Sequence, residues 1–157
     1  FNRKSDMIDL NNLPSPDEFR HRCPLQLRFN DVDVLGHVNN TVYFSFYDTG
    51  KAHYFTDVRG RRMDWLHVDT VIANVNCAYL SPIVFGEEIE VLTRCEAIHD
   101  KSFRLLQMLR DTVSGETKSV CETVMVSYDP DTKRSTPLPD DWRRQLTEYE
   151  GRDLSAD

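Results

Sequence analysis

Residues 28–47 read RFNDVDVLGHVNNTVYFSFY, and the order of residue types in this stretch decides how the rest of the chain is read. A run of strand period, LQLRF, leads into it: Leu25, Leu27 and Phe29 alternate with Gln26 and Arg28. The run ends at two carboxylates, Asp31 and Asp33. A turn at Gly36 follows, then His37, then Asn39 and Asn40, of the residue type that caps a helix. An aromatic-rich run of helical spacing starts directly after. A carboxylate, an imidazole and the unpaired N–H groups of a helix start are therefore expected close together. Those are the groups needed to hydrolyse an acyl group.

Moving outward, Val42, Phe46 and Thr49 with Ala52, or Tyr43, Tyr47 and Tyr54, fall at helical spacings. The apolar residues lie almost all round, so a buried helix is expected over 40–55. Gly50 inside it weakens the helix by about 1 kcal/mol relative to Ala, which points to close packing against a neighbour. RGRRMDW (59–65) is a basic connector. Four strand-like runs follow, over 70–80, 87–98, 102–110 and 117–128. In the first, Val71, Ala73, Val75, Cys77 and Tyr79 are expected on one face. In the second, Glu88, Glu90, Arg94 and Glu96 alternate with Ile89, Val91, Cys95 and Ala97. Short connections, one at Ser114-Gly115, make the strands antiparallel neighbours. DPDTKR (129–134) reads as a turn. A terminal helix follows, with Asp140 as N-cap and Gly151 as its stop. The expected class is α+β, a single antiparallel sheet of about five strands wrapped round one long helix. Such a sheet needs cover on its outer face and edges, and dimerisation through an edge is the simplest way to supply it.

At 157 residues the chain has the length of one domain. The division expected is a polar lead-in at 1–20, a domain at 21–150 and a tail at 151–157. The hydrophobic fraction is 39% and the mean hydropathy −0.53, with no run near the roughly 20 apolar residues of a membrane span. A net charge of −7 argues against a nucleic-acid surface while leaving room for a small anionic ligand. Cys23, Cys77, Cys95 and Cys121 form no CxxC pair, and His21, His37, His53, His67 and His99 show no ligand spacing, so no metal site is expected. Reduced thiols in a cytoplasmic protein are the expectation. The first residues, FNRKSDMIDLNN, have no signal-peptide pattern, and Met7 is a candidate start.

Three segments in register resemble the hotdog-fold thioesterases, in the branch of 4-hydroxybenzoyl-CoA thioesterase and YbgC-type acyl-CoA thioesterases. The resemblance spans about residues 22–145. DVDVLGHVNNTVYF is also similar to the D-x-D-x-N-x-H-V-N-N-x-x-Y segment of plant acyl-ACP thioesterases. AYLSPIVFGEEIEV is similar to Y-x-x-P-x-x-x-G-D-x-x-x-V, and KSF (101–103) to the basic-Ser opening of a middle strand.

The resemblance implies hydrolysis of acyl-CoA or acyl-ACP thioesters in a homodimer or homotetramer. No cofactor is required, since coenzyme A arrives as part of the substrate. Asp33 matches the catalytic carboxylate, acting as general base or nucleophile. Without the resemblance it would read as a turn cap. The backbone N–H at Asn40 matches the oxyanion donor. His37 is of the residue type suited to proton transfer near neutral pH; the plant enzymes use the matching His, whereas the 4-hydroxybenzoyl-CoA branch has an apolar residue there, so a structural role stays open. Leu35 stands where the plant enzymes carry Asn, which favours a mechanism led by Asp33. Asp48 is the alternative carboxylate on the helix, or else an ion-pair partner of Lys51. Asp31 is expected to orient the loop or to meet Arg28. Lys101 and Arg134, with Arg59, Arg61 and Arg62 as a further candidate cluster, are expected to meet the coenzyme A phosphates or else to be a solvated face. Tyr43, Phe46, Tyr47 and Tyr79 are expected to wall the acyl pocket or to pack the core. Two other classes remain. One is a non-catalytic acyl-binding hotdog domain. The other is an enoyl or hydroxyacyl thioester hydratase, whose Asp-x-Asn-Pro-x-His spacing this chain lacks.

Overall fold

Four long runs of alternating residues become the long strands of one antiparallel sheet. In chain order the elements are β1 (His21–Pro24), α1 (Val42–Arg59), β2 (Thr70–Tyr79), β3 (Ile89–Ile98), β4 (Ser102–Asp111), β5 (Thr117–Asp129), β6 (Arg134–Ser135) and α2 (Asp140–Glu150). The computed structural model describes residues 7–62, 64 and 69–156. The first six residues of the lead-in, Met63 and Trp65 of the basic connector, and His67 lie outside the described residues. The sheet order is β1-β3-β4-β5-β2, and the two-residue β6 pairs with β5. No described helix is long and apolar enough to cross a membrane.

Helix α1 lies on the sheet and begins and ends later than its spacing suggested. Its buried residues are Tyr43, Phe46, Tyr47, Gly50, Lys51, Tyr54, Phe55 and Val58. That is a single stripe at i, i+3, i+4 and i+7, so the helix is buried on one side only. The expectation of burial all round is corrected: Phe44, Asp48 and Thr49 face outward. Gly60, with φ of 66°, ends the helix in the left-handed conformation. Gly50 is where helix and sheet come closest. A Cβ added there would meet a Val91 methyl at 2.7 Å and Gln107 Nε2 at 2.9 Å.

The strand expected over LQLRF is displaced. Pairing with β3 covers His21–Pro24 and ends with Leu25 N–H donating to the Ile89 carbonyl. Upstream of Ile89 the partner turns away, so Leu25 and Leu27 keep their inward alternation with no ladder to join. Phe29–Asp31 winds into a 3₁₀ turn, and Phe29 is exposed. In β2 the pairing shifts between Ile72 and Asn74. Ala73 is the extra residue of this bulge, so Ile72 rather than Val71 and Ala73 shares a face with Val75, Cys77 and Tyr79. In α2, Asp140 is the first helical residue and Pro139 precedes it; Gly151 ends the helix with φ of 67°.

The core has three parts. Tyr54, Phe55, Phe103, Leu105 and Trp142 fill the α2 end. Tyr43, Phe46, Tyr47, Ile83, Val91 and Leu109 fill the end where α1 starts. On the outer face of the sheet, Phe19 packs on Leu92, Leu106, Met108 and Val120, with Ile8 and Leu13 against them. The described part of the polar lead-in thus covers the outer face. The tail returns as well: Leu154 is buried and its carbonyl accepts the Ile98 N–H.

Candidate active site

The DVDVLGHV segment closes on itself as a five-residue hairpin. Val32 pairs with Val38, and one step further in the Asp33 N–H donates to the His37 carbonyl at 2.8 Å. Side chains alternate across such a ladder, so Asp33 and His37 project to the same side, opposite to buried Val38. The tip is tight. Gly36 N–H bonds to the Asp33 carbonyl at 3.0 Å, Leu35 N–H bonds to Asp33 Oδ1 at 2.9 Å, and Gly36 has φ of 77°. That conformation suits Gly. Val34 and Leu35 stand exposed at the tip.

A second strand-like segment holds this hairpin. His37 pairs with Val84, and Val38 N–H donates to the Ile83 carbonyl at 2.8 Å. Asn39 N–H donates to the Asp31 carbonyl at 2.8 Å, while Asp31 Oδ2 accepts the Arg28 N–H at 2.8 Å. Asp31 therefore orients the loop through backbone partners.

The chain then turns into α1. Asn39 Oδ1 accepts from Thr41 N–H at 3.0 Å and from the Thr41 hydroxyl at 2.7 Å. Val42 N–H bonds to the Asn39 carbonyl. Thr41 occupies the N-cap position without a side-chain cap bond, and the Asn39 side chain forms an Asx turn onto it just before the helix. Among the described residues the Asn40 N–H donates no hydrogen bond. Its carbonyl accepts the Tyr79 hydroxyl at 2.9 Å, which fixes this peptide against the end of β2. The Tyr79 ring packs on Tyr43 with centroids 4.9 Å apart.

These groups share one cleft of about 330 Å³, lined by Asp33, His37, Val38, Asn40, Tyr43, Tyr79, Leu80, Ser81 and Pro82. Asp33 and His37 are half-buried on its wall. Among the described residues, no hydrogen bond holds the second carboxylate oxygen of Asp33 or the His37 ring. The cleft is thus lined by Asp33, His37 and Asn40, the last with an N–H unengaged among the described residues, at the start of an eighteen-residue helix, the end where the helix dipole is positive.

The 80–82 wall was not read as site from the sequence, although AYLSP was singled out as a motif. Leu80 and Ser81 N–H both donate to the Lys118 carbonyl. Buried Lys118 Nζ holds the Pro82 carbonyl at 3.1 Å and pairs with Glu87 at 2.9 Å. A lysine inside the strand-like run 117–128 was the available signal.

The remaining candidates separate. Asp48 pairs with buried Lys51 at 3.1 Å and does not line the cleft. Phe46 and Tyr47 belong to the core, with the Tyr47 hydroxyl donating to Ser119 Oγ at 2.7 Å. Arg59 lies over Trp142 and pairs with Asp141 at 2.9 Å; Arg61 and Arg62 are exposed. Lys101 and Arg134 are exposed at the opposite end of the sheet. Along β5, Ser119 faces Tyr79 of the cleft, whereas Ser127 bonds back to the Lys101 carbonyl. Eight residues of strand separate the two ends, about 26 Å. Within one protomer neither basic residue reaches Asp33. Among the described residues, no group of His, Cys, Asp and Glu side chains is placed to hold a metal ion.

Comparison with known proteins places this geometry. A family model described as the thioesterase-like superfamily matches residues 27–146. A thioesterase from Thermus thermophilus, solved with coenzyme A and zinc, is 32% identical with a TM-score of 0.79; the match covers 88% of this chain and 99% of that one. The long-chain acyl-CoA thioesterase FadM of Escherichia coli K12 is 22% identical over 125 residues, 78% of this chain and 93% of FadM. The uncharacterized protein YsmA of Bacillus subtilis strain 168 is 24% identical over 122 residues, 78% of this chain and 82% of YsmA. The curled sheet on one long helix is the hotdog arrangement of these thioesterases.

Proposed function

This chain belongs to the thioesterase-like superfamily, and from that premise we propose that it hydrolyses acyl-CoA thioesters in the cleft at the start of α1. The observation that carries the reading is the convergence of Asp33, His37 and the Asn40 N–H on one cleft. Asp33, through the oxygen not held by Leu35, serves as general base for a water or as nucleophile on the thioester carbonyl. The developing oxyanion is received by the Asn40 N–H and the positive end of the helix dipole, a donor of a kind worth about 3 kcal/mol in the transition state. His37 delivers a proton to the departing thiolate. Tyr43 and Tyr79 form the apolar wall. Binding of coenzyme A by the Thermus thermophilus relative supports a coenzyme A ester over a carrier-protein ester. Such a substrate, and four free thiols, suit a cytoplasmic setting.

We further propose that the working form is a dimer through β2. This ten-residue strand is one of the two edges of the sheet, the other being the four-residue β1, and Val71, Ile72 and Val75 are exposed along it. Long apolar edges are the ones that pair with a second chain. Two-fold antiparallel pairing sets the Thr70 end of one β2 beside the Tyr79 end of the other. Lys101 and Arg134 of the partner subunit then lie on the side of the cleft, where the phosphates of coenzyme A need cations.

The test is thiol release from a panel of acyl-CoA esters, short, aromatic and long, with enoyl-CoA hydration assayed beside it. Turnover of at least one thioester is the expected result. Hydration without thiol release, or binding with neither reaction, would refute the assignment.

A further inference from the structure

Cys77 and Cys121 stand opposite each other across the β2–β5 ladder, and neither is in a disulfide. Just beyond β2, Leu80 N–H bonds to the Lys118 carbonyl at 2.9 Å. Hydrogen-bonded and non-hydrogen-bonded pairs alternate along an antiparallel ladder. The pairing is regular back to Cys77, so Cys77 and Cys121 form a non-hydrogen-bonded pair. In that kind of pair the Cα atoms stand about 4.5 Å apart and the side chains are closest. A disulfide requires a Cα separation of roughly 4.4–6.8 Å. Both side chains point to the α1 face, where Cys121 is buried among Tyr43, Phe46 and Tyr47 and Cys77 lies at the margin. The two thiols are cross-strand neighbours on that face. Cys77 Sγ also lies 3.5 Å from Ser119 Oγ.

The two sulfurs are not equivalent. The neighbouring Cys121 thiol holds the Cys77 pKa below its ordinary value, at about 6, against the opposing effect of burial. Cys121 is pushed up, chiefly by the neighbouring Cys77 and then by burial. Burial raises Cys23, and raises Cys95 to about 12. Thiolate character, which governs oxidation, is thus concentrated on the half-buried member of the pair.

We propose that Cys77 and Cys121 are a redox-responsive dithiol that hydrogen peroxide converts to an intrachain disulfide. The Cys77 thiolate attacks one peroxide oxygen; the O–O bond breaks, leaving a sulfenic acid on Cys77 and a hydroxide that takes up a proton as water. Cys121 sulfur then displaces the sulfenic oxygen. The S–S bond forms, the S–O bond breaks, and the Cys121 proton leaves with that oxygen as a second water. The dithiol loses two electrons and the peroxide gains them. The new bond ties the edge strand to its neighbour two residues from Tyr79, which holds the Asn40 peptide.

The full chain is treated with hydrogen peroxide, denatured, alkylated with iodoacetamide and examined by intact mass and peptide mapping. The expected product is lighter by two hydrogens before alkylation. It contains a peptide joining Cys77 to Cys121, and it reverts with dithiothreitol. Cys121→Ser is expected to stop at a sulfenic acid on Cys77, trapped by dimedone. Full alkylation of Cys77 and Cys121 after peroxide would overturn the proposal. So would a bridge from Cys77 to Cys23, to Cys95 or to a second copy of the chain. Wild-type mapping decides the matter if the variant misfolds, and the readout does not depend on thioesterase activity.

Discussion

At Asp33 the turn-capping role and the proposed chemical role use different oxygens. Oδ1 receives the Leu35 N–H, which orients the carboxylate and leaves the second oxygen without a hydrogen bond among the described residues. Both readings of an Asp at a turn are therefore compatible at this residue, and the sequence pointed to the position through its place before Gly36 and a helix start. His21 was not legible in the same way. It is 4% exposed, with Nε2 2.9 Å from Asp57 Oδ2 and Nδ1 buried without a partner. Nothing in HRCP marks it, because its environment comes from α1. Burial lowers its pKa from 6.5, outweighing the Asp57 carboxylate. The unfolded chain then binds a proton that the folded chain resists, so this contribution to stability is present above pH 6.5 and is lost as pH falls below it. Urea midpoints followed from about pH 8 to about pH 5 are expected to fall in the lower part of that range, and His21→Gln to flatten the fall. Parallel curves for variant and wild type would show that His21 is not the group responsible.

At the scale of elements, the long strands were legible because alternation over ten residues leaves few other ways to bury one face. LQLRF kept the same alternation without becoming a strand, since a ladder needs a partner and β3 begins only at Ile89. The Ala73 bulge was invisible for a related reason: an extra residue is defined by the strand opposite. Gly50 was legible as a point of close approach, and the packing against Val91 and Gln107 makes the consequence quantitative. Gly50→Ala gains helix propensity of about 1 kcal/mol, but its methyl enters space already held by Val91 at 2.7 Å. Overpacking of this kind costs about 1–3 kcal/mol. The net expectation is a lower denaturation midpoint, measured by urea or heat. A midpoint above wild type would mean that α1 can lift from the sheet without loss.

For the whole molecule, the two ends of the sheet carry different chemistry: Asp33 and Asn40 at one, Lys101 and Arg134 at the other. The sequence placed all four among the site residues, and it could not show that a strand length separates them, because strand order is a tertiary property. The proposed pairing of β2 edges would bring the two ends together across the dimer. Ile72 is 46% exposed, so replacing it leaves the protomer core intact. Ile72→Asp is expected to give a monomer by sedimentation and to raise KM for acyl-CoA. Unchanged sedimentation and KM would place the interface elsewhere.

The most direct test of the chemistry is kcat for acyl-CoA hydrolysis by Asp33→Asn, with thermal stability recorded for the same preparation. The amide cannot act as a base or a nucleophile, while its oxygen can still receive the Leu35 N–H. A loss of at least about a hundredfold in kcat with the fold intact is expected. Retention of kcat near the wild-type value would contradict the assignment and move the reaction to another group of the chain.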